Sequence, residues 1–131
     1  MKNIDCIKDI IEKTFELEIQ SIQEMDKRAI FLGTDFFFDI EEDENILYLS
    51  GISIPKDKRG KGLSKKIIQN MEMFAKDNNY KQIEIPAVVS NKAAKACKSL
   101  GYENKEFNYP NFDTSLYEEF DGFYGSYFKQ L

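Results

Sequence analysis

The chain begins with apolar residues at helical spacing. Five of them fall on one face of a helix predicted over residues 3–16: Ile4, Ile7, Ile10, Ile11 and Phe15. Residues 17–28 are ambiguous, because their apolar positions could continue a second helix but do not keep a clean period. Those positions are Leu17, Ile19, Ile22 and Met25. The sequence therefore predicts one N-terminal helix and leaves the nature of the next segment open.

Strand-like runs come next. Residues 36–40 and 45–55 are rich in β-branched and aromatic side chains, and the polar run 41–45 connects them. We expect these two runs to form an antiparallel hairpin. Gly51 lies inside the second run, which indicates a bulge or a close approach of another group to the backbone.

The C-terminal half alternates helix and strand patterns. Residues 63–77 return to helical spacing, and polar residues after position 77 stop this helix. Four more segments follow: a strand over 82–89, an Ala-rich helix over 91–100 closed by Gly101, and strand-like runs over 104–109 and 123–128. This order predicts a single domain over residues 1–131 of the α/β (α+β) class, with a mixed sheet and flanking helices.

Composition excludes several functions. The 131 residues include 18 Lys and Arg, 23 Asp and Glu and no His, so the net charge is −5. Without histidine there is no imidazole catalysis, and we predict no metal site. The negative charge disfavours nucleic acid as a partner, because Lys and Arg supply most of the affinity for phosphates. No run reaches the ~20 apolar residues that span a bilayer, and no secretion signal is apparent. We therefore expect a cytoplasmic protein without a membrane partner, with Cys6 and Cys97 as free thiols.

A basic glycine loop reverses this charge locally. Six basic residues lie between positions 56 and 66: Lys56, Lys58, Arg59, Lys61, Lys65 and Lys66. The loop contains Gly60 and Gly62 and leads into the second helix, whose first N–H groups and dipole favour an anion. A solvated helix start would look similar. The loop is not a P-loop, since Gly62 is followed by Leu63, and it lacks the third glycine of a dinucleotide fingerprint.

The pattern Arg59-x-x-Gly62-x-Ser64 resembles the R/Q-x-x-G-x-G/A loop of the GNAT superfamily of N-acetyltransferases. The context agrees, because in that family the loop joins a bulged strand to a helix. A further strand follows there, then a helix that begins near Asn91 and ends in a Leu-Gly-aromatic turn, here residues 100–102. The resemblance covers residues 35–131. It implies a mostly antiparallel mixed sheet with flanking helices.

Several features depart from the family pattern. Ser64 replaces the usual Gly or Ala, and we expect the first family strand to be missing, either lost or supplied by another chain. Either Ser90 or Asn91 could match the family asparagine. The family often has a tyrosine as the acid four residues before the glycine that ends this helix, and that position here is Cys97.

The resemblance implies acetyl-CoA as the co-substrate. The backbone N–H groups of six loop residues would bind its pyrophosphate: Arg59, Gly60, Lys61, Gly62, Leu63 and Ser64. The strand edge at Ile52, Ser53 and Ile54 would pair with the pantetheine arm, and Asn91 would hydrogen-bond it from the other side. An N–H group freed at the Gly51 bulge would polarise the thioester carbonyl.

Transfer to an amine requires proton movement, and the sequence offers several candidates. Cys97 occupies the position of the family acid, although it could equally pack as a small hydrophobe. Tyr48 could relay a proton or belong to the core. Glu84 could act as a base or face solvent. Tyr124 or Tyr127 in the tail could also supply the acid.

The acceptor is predicted as an amine of a small molecule or peptide. Acidic residues would favour a cationic one if they line the acceptor groove, although residues 41–45 could simply be a solvated hairpin tip. They form two clusters: Asp39 and Glu41–Glu44, then Glu118, Glu119 and Asp121. The aromatic residues of the tail could shape this pocket or a homodimer face. The alternative function is an inactive GNAT-like module that binds CoA or a protein.

Overall fold

The computed structural model describes residues 1–109, 113–117 and 119–131. The described residues form three α-helices: α1 (Ile4–Phe15), α2 (Leu63–Asp77) and α3 (Asn91–Ser99). Seven strands are found in the same part of the chain: β1 (Ser21–Met25), β2 (Arg28–Gly33), β3 (Phe36–Asp43), β4 (Ile46–Ser53), β5 (Gln82–Ile85), β6 (Glu103–Lys105) and β7 (Ser126–Gln130). Two tail residues with predicted roles, the aromatic Phe112 and the acidic Glu118, lie outside the described residues.

The strands form one mixed sheet in the order β1-β2-β3-β4-β5-β7-β6. All neighbours are antiparallel except β4 and β5, which run parallel and are connected through α2. The predicted fold class, a mostly antiparallel mixed sheet with flanking helices, is therefore confirmed. Among the helices and strands described, no strand precedes α1. The edge position beside β2 is held instead by β1, which follows the helix.

One face of the sheet bears the core. Alternate residues of the central strands, such as Phe38, Ile40 and Leu47, are buried in one cluster with residues from all three helices. The matching helix residues include Ile11 on α1 and Met71 on α2. The intervening strand residues point to the opposite face, where most of them are only half-buried. We call this opposite side the open face.

The segment 17–28, which the sequence left open, contains β1 and not a second helix. Four of the five β1 residues are exposed, so the strand shows no apolar alternation. Four predicted boundaries are wrong. The run 41–45 is a connection only at Glu44 and Asn45, which both have positive φ (45° and 69°) and close a tight hairpin turn. Three further strands differ in length: β5 stops at Ile85, and the tail strands are Glu103–Lys105 and Ser126–Gln130.

Candidate active site

The parallel strands β4 and β5 separate after a short paired segment. Pairing covers Ile46 with Gln82, Leu47 with Ile83 and Tyr48 with Glu84. β4 then continues to Ser53, whereas β5 ends at Ile85 just before a proline. The result is a slot whose walls include Ile52, Ser53 and Ile54 on one side and Val88, Val89 and Ser90 on the other.

A bulge in β4 lies beside this slot. Asp39 of β3 pairs with Gly51 but the next residue, Ile40, pairs with Leu49, so Ser50 is an extra residue in β4. The bulge predicted from the glycine is therefore confirmed. A bulge changes the direction of backbone N–H and C=O groups locally, and here it does so where β4 loses its partner strand.

The far end of the slot is suited to an anion. Gly62 is the N-cap of α2 with φ of 72°, and no side chain caps the helix. The groove around it is lined by basic residues, namely Lys58, Arg59, Lys65 and Lys92. A Cβ added at Gly60 or Gly62 would meet nothing within 4 Å, so the backbone there is open to a ligand. Uncapped helix N–H groups surrounded by positive charge fit a pyrophosphate.

An acidic residue lies at this positive end. Glu119 follows a short 3-10 turn (Thr114–Leu116) in the connection from β6 to β7. Its Oε1 lies 3.6 Å from Nε of Arg59, which also donates a hydrogen bond to the Ile54 carbonyl at 3.1 Å. The Arg59 side chain is thus fixed across the slot by the backbone of the β4 end and by a carboxylate from the tail.

The structure brings most of the predicted cofactor-binding residues to the slot or its anion end. These are Ile52, Ser53, Ile54, Arg59, Gly60, Gly62, Leu63 and Ser64. Lys61 is exposed and lies outside these walls. Of the two residues that could match the family asparagine, Ser90 lines the slot and caps α3 by accepting a hydrogen bond from the Ala93 N–H. Asn91 is exposed, and its N–H donates to the Asp121 carboxylate.

Two of the predicted proton-transfer residues meet where the strands separate. Tyr48 and Glu84 are opposite each other on the open face. The Glu84 carboxylate is only 6% exposed and accepts hydrogen bonds from Lys105 Nζ at 2.8 Å and Ser126 Oγ at 3.3 Å. Burial and the negative charge of Glu84 raise the pKa of the Tyr48 hydroxyl, so this phenol remains protonated at neutral pH.

The other candidates lie elsewhere. Cys97 is fully buried in the helix-side core, and burial raises the pKa of its thiol to about 12. It does not line the slot. Tyr127 is also in this core, 2% exposed. Tyr124 lies in the tail, where a hydrogen bond with Asp121 raises the pKa of its hydroxyl. Cys6 is exposed, and both cysteines are free thiols as expected.

Tyr117 is one of the tail aromatics that the sequence offered for an acceptor pocket, but its position at Gly51 was not predicted. This residue lines the slot, and its ring packs edge-on against Phe37 with centroids 5.5 Å apart. Its hydroxyl lies against Gly51 on the open face. The only sequence signal was Gly51 itself, which indicated a close approach but did not identify the approaching group. The connection that carries Tyr117 shows no periodicity from which its course could be predicted.

A model of the acetyltransferase (GNAT) family matches residues 22–102, which include the slot, the basic loop and α3. The chain belongs to the GNAT family. This agrees with the resemblance drawn from the loop and its flanking elements. No match was found among curated proteins.

Solved GNAT structures share the fold. An acetyltransferase from Bacillus subtilis in complex with CoA is 14% identical, with a TM-score of 0.58 over 97% of this chain and 86% of that one. An IAA acetyltransferase from Bacillus cereus is 13% identical, with a TM-score of 0.56 over 79% and 77%. A putative streptothricin acetyltransferase from Bacillus anthracis, in complex with acetyl coenzyme A, is 18% identical over 80% and 64%, with a TM-score of 0.55. These likenesses establish the architecture.

None of the described helices is long and apolar enough to cross a membrane. In the same residues, no group of three His, Cys, Asp or Glu side chains is arranged to hold a metal ion.

Proposed function

We propose that this GNAT protein is an acetyl-CoA-dependent N-acetyltransferase that acts on an amine of a small molecule or protein. One observation carries the proposal. The unpaired edge of β4 runs from the bulge at Gly51 to the uncapped, basic N-terminus of α2, so one continuous slot joins a reaction site to an anion site.

The chain offers matching groups for each part of acetyl-CoA. The N–H groups of residues 59–64 and the basic residues around them would hold the pyrophosphate. The β4 edge at Ile52–Ile54 would pair with the amides of the pantetheine arm, as one strand pairs with another. Ser90, beside Asn91, lines the opposite wall. A backbone N–H at the bulge would polarise the thioester carbonyl, which is the reactive group that acetyl-CoA supplies.

The acceptor would approach from the open face. Asp39 lies there beside Gly51, held by Arg28 through two hydrogen bonds of 2.9 and 2.6 Å. Glu41 and Glu84 flank Tyr48 on the neighbouring strands. More carboxylates than cations face this side near the bulge, which favours a cationic amine. Tyr48 would pass on the proton that an ammonium must lose before it can attack as a neutral amine.

Thermal unfolding with acetyl-CoA tests the cofactor site. Saturation at ~100 times Kd should stabilise the fold by about 2.7 kcal/mol, which raises Tm on the order of 5–10 °C. An unchanged Tm at millimolar acetyl-CoA would refute the proposal. A panel of amines, followed by release of free CoA thiol and by mass spectrometry of the products, then tests transfer.

A second function is an inactive module that binds CoA or a protein partner. It is favoured by the burial of Cys97 in the position of the family acid, away from the slot. Both functions predict a shift of Tm with CoA, but only the enzyme releases thiol in an amine-dependent way. Thiol release with any amine of the panel would exclude the inactive module.

A further inference from the structure

Tyr117 reaches the reaction end of the slot from outside the sheet. It follows the 3-10 turn Thr114–Leu116, and its side chain is held by the edge-on contact with Phe37. Its hydroxyl is 2.7 Å from the point at which a Cβ of Gly51 would stand. The phenol therefore lies directly over the bulge of β4, on the open face.

A glycine is needed at position 51 because of the contact with Tyr117, and not because of its backbone angles. Its φ is outside the left-handed region, so other residues could adopt the conformation. A Cβ there, however, would overlap the Tyr117 hydroxyl and would approach the Phe37 ring to 3.0 Å. The missing side chain thus makes room for one phenol oxygen beside the slot.

We propose that the Tyr117 hydroxyl contacts the thioester sulfur and relays a proton from the amine to it. The inference rests on the proposed function. As the amine nitrogen bonds to the acetyl carbon and the C–S bond breaks, the sulfur takes the phenol proton and forms a thiol. The phenolate then takes a proton from the nitrogen, leaving a neutral amide and a restored phenol. Acetyl-CoA and an amine give an amide and CoA, with no other reactant.

Tyr117 holds its proton at neutral pH, and its position beside Gly51 distinguishes it from the other candidates. Burial, with a contribution from the charge of Asp39, raises its pKa to about 12, so the hydroxyl carries its proton at neutral pH. Cys97, at the position of the family acid, is enclosed in the core on the helix side of the sheet. Tyr48 lies three residues before Gly51, where β4 is still paired with β5. Of these three groups, Tyr117 alone both lines the slot and touches Gly51.

The pKa of bound CoA tests the sulfur contact without turnover. CoA labelled with 13C beside the sulfur is titrated on the wild type and on Tyr117→Phe, and the thiol pKa is read by NMR. A phenol that donates to the thiolate stabilises it, so we expect the bound thiol to titrate about 1–2 units higher in Tyr117→Phe. Tyr80→Phe is the matched control, since it removes a phenol that bonds Glu42 away from the slot. Equal thiol pKa values in wild type and Tyr117→Phe would overturn the proposal.

Turnover tests the relay. In Tyr117→Phe we expect kcat to fall about 100-fold. The KM for acetyl-CoA and the rise in Tm that acetyl-CoA causes should stay the same. Gly51→Ala would displace the same hydroxyl, because the new Cβ overlaps it, so kcat should fall by a similar factor. The double variant Gly51→Ala with Tyr117→Phe should have nearly the kcat of Tyr117→Phe alone. An active wild type with unchanged kcat in Tyr117→Phe would overturn the relay alone. A wild type that binds CoA but acetylates no amine would overturn both the transferase and the relay.

Discussion

The two ends of the slot are built in different ways. The end proposed for the cofactor, called the cofactor end, consists of consecutive residues: the β4 edge, the basic loop and the first turn of α2. It offers mainly backbone N–H groups. The end proposed for the acceptor, called the acceptor end, collects side chains from separate segments: Asp39, Tyr48, Glu84, Lys105 and Tyr117. A site made of backbone tolerates many substitutions, whereas a site made of distant side chains can change its specificity one residue at a time.

The largest expected effect is at the cofactor end. Gly62→Glu places a carboxylate among the N–H groups that would hold the pyrophosphate, and it puts a side chain at φ of 72°. We expect the shift of Tm with acetyl-CoA to disappear. Gly62→Gln shares the size and the backbone strain but not the charge, so it should retain part of the shift. A full shift in Gly62→Glu would show that the cofactor does not bind at this helix.

A substitution at the buried Glu84 of the acceptor end should lower the stability of the fold. Glu84→Gln weakens the hydrogen bonds that the buried carboxylate accepts from Lys105, Gln82 and Ser126. We expect denaturant unfolding to give a free energy about 1–3 kcal/mol lower, with the shift of Tm by acetyl-CoA unchanged. Glu24→Gln on the exposed edge strand is the control and should change stability by less than about 0.5 kcal/mol. If acetyl-CoA no longer raised the Tm of Glu84→Gln, the acceptor end would also contribute to cofactor binding.

The same difference explains what could be predicted from the sequence. Residues 59–64 form a local pattern, since glycines, basic residues and a helix start are adjacent in the chain. The bulge at Gly51 and the bounds of α2 were predicted for similar local reasons. The position of Tyr117 depends on the course of a connection without periodicity. β1 lacks apolar alternation because four of its five residues are exposed. Neither could be predicted from neighbouring residues alone.

A smaller effect is expected where the tail meets the cofactor end. Glu119→Gln removes the carboxylate 3.6 Å from Arg59, which would otherwise compete with the phosphates for this guanidinium. Half-exposed ion pairs are weak, so we expect acetyl-CoA to bind up to ~5-fold tighter by calorimetry at low salt. The gain should shrink at high salt, because the effect is electrostatic. Glu24→Gln again serves as the control, and weaker binding in Glu119→Gln would contradict the competition.

The smallest effect on turnover is expected for Cys97, which lies on the helix side of the sheet and not on the open face. Cys97 lies in the position of the family acid, but it is buried on the helix side and its pKa is raised to about 12. Cys97→Ala should therefore leave kcat and its pH dependence within about twofold of the wild type, while the cavity lowers stability by about 1 kcal/mol. Unfolding and steady-state kinetics on the same preparation measure both quantities. A loss of kcat as large as that expected for Tyr117→Phe, with cofactor binding unchanged and stability lowered no more than expected, would contradict the placement of the proton transfer on the open face.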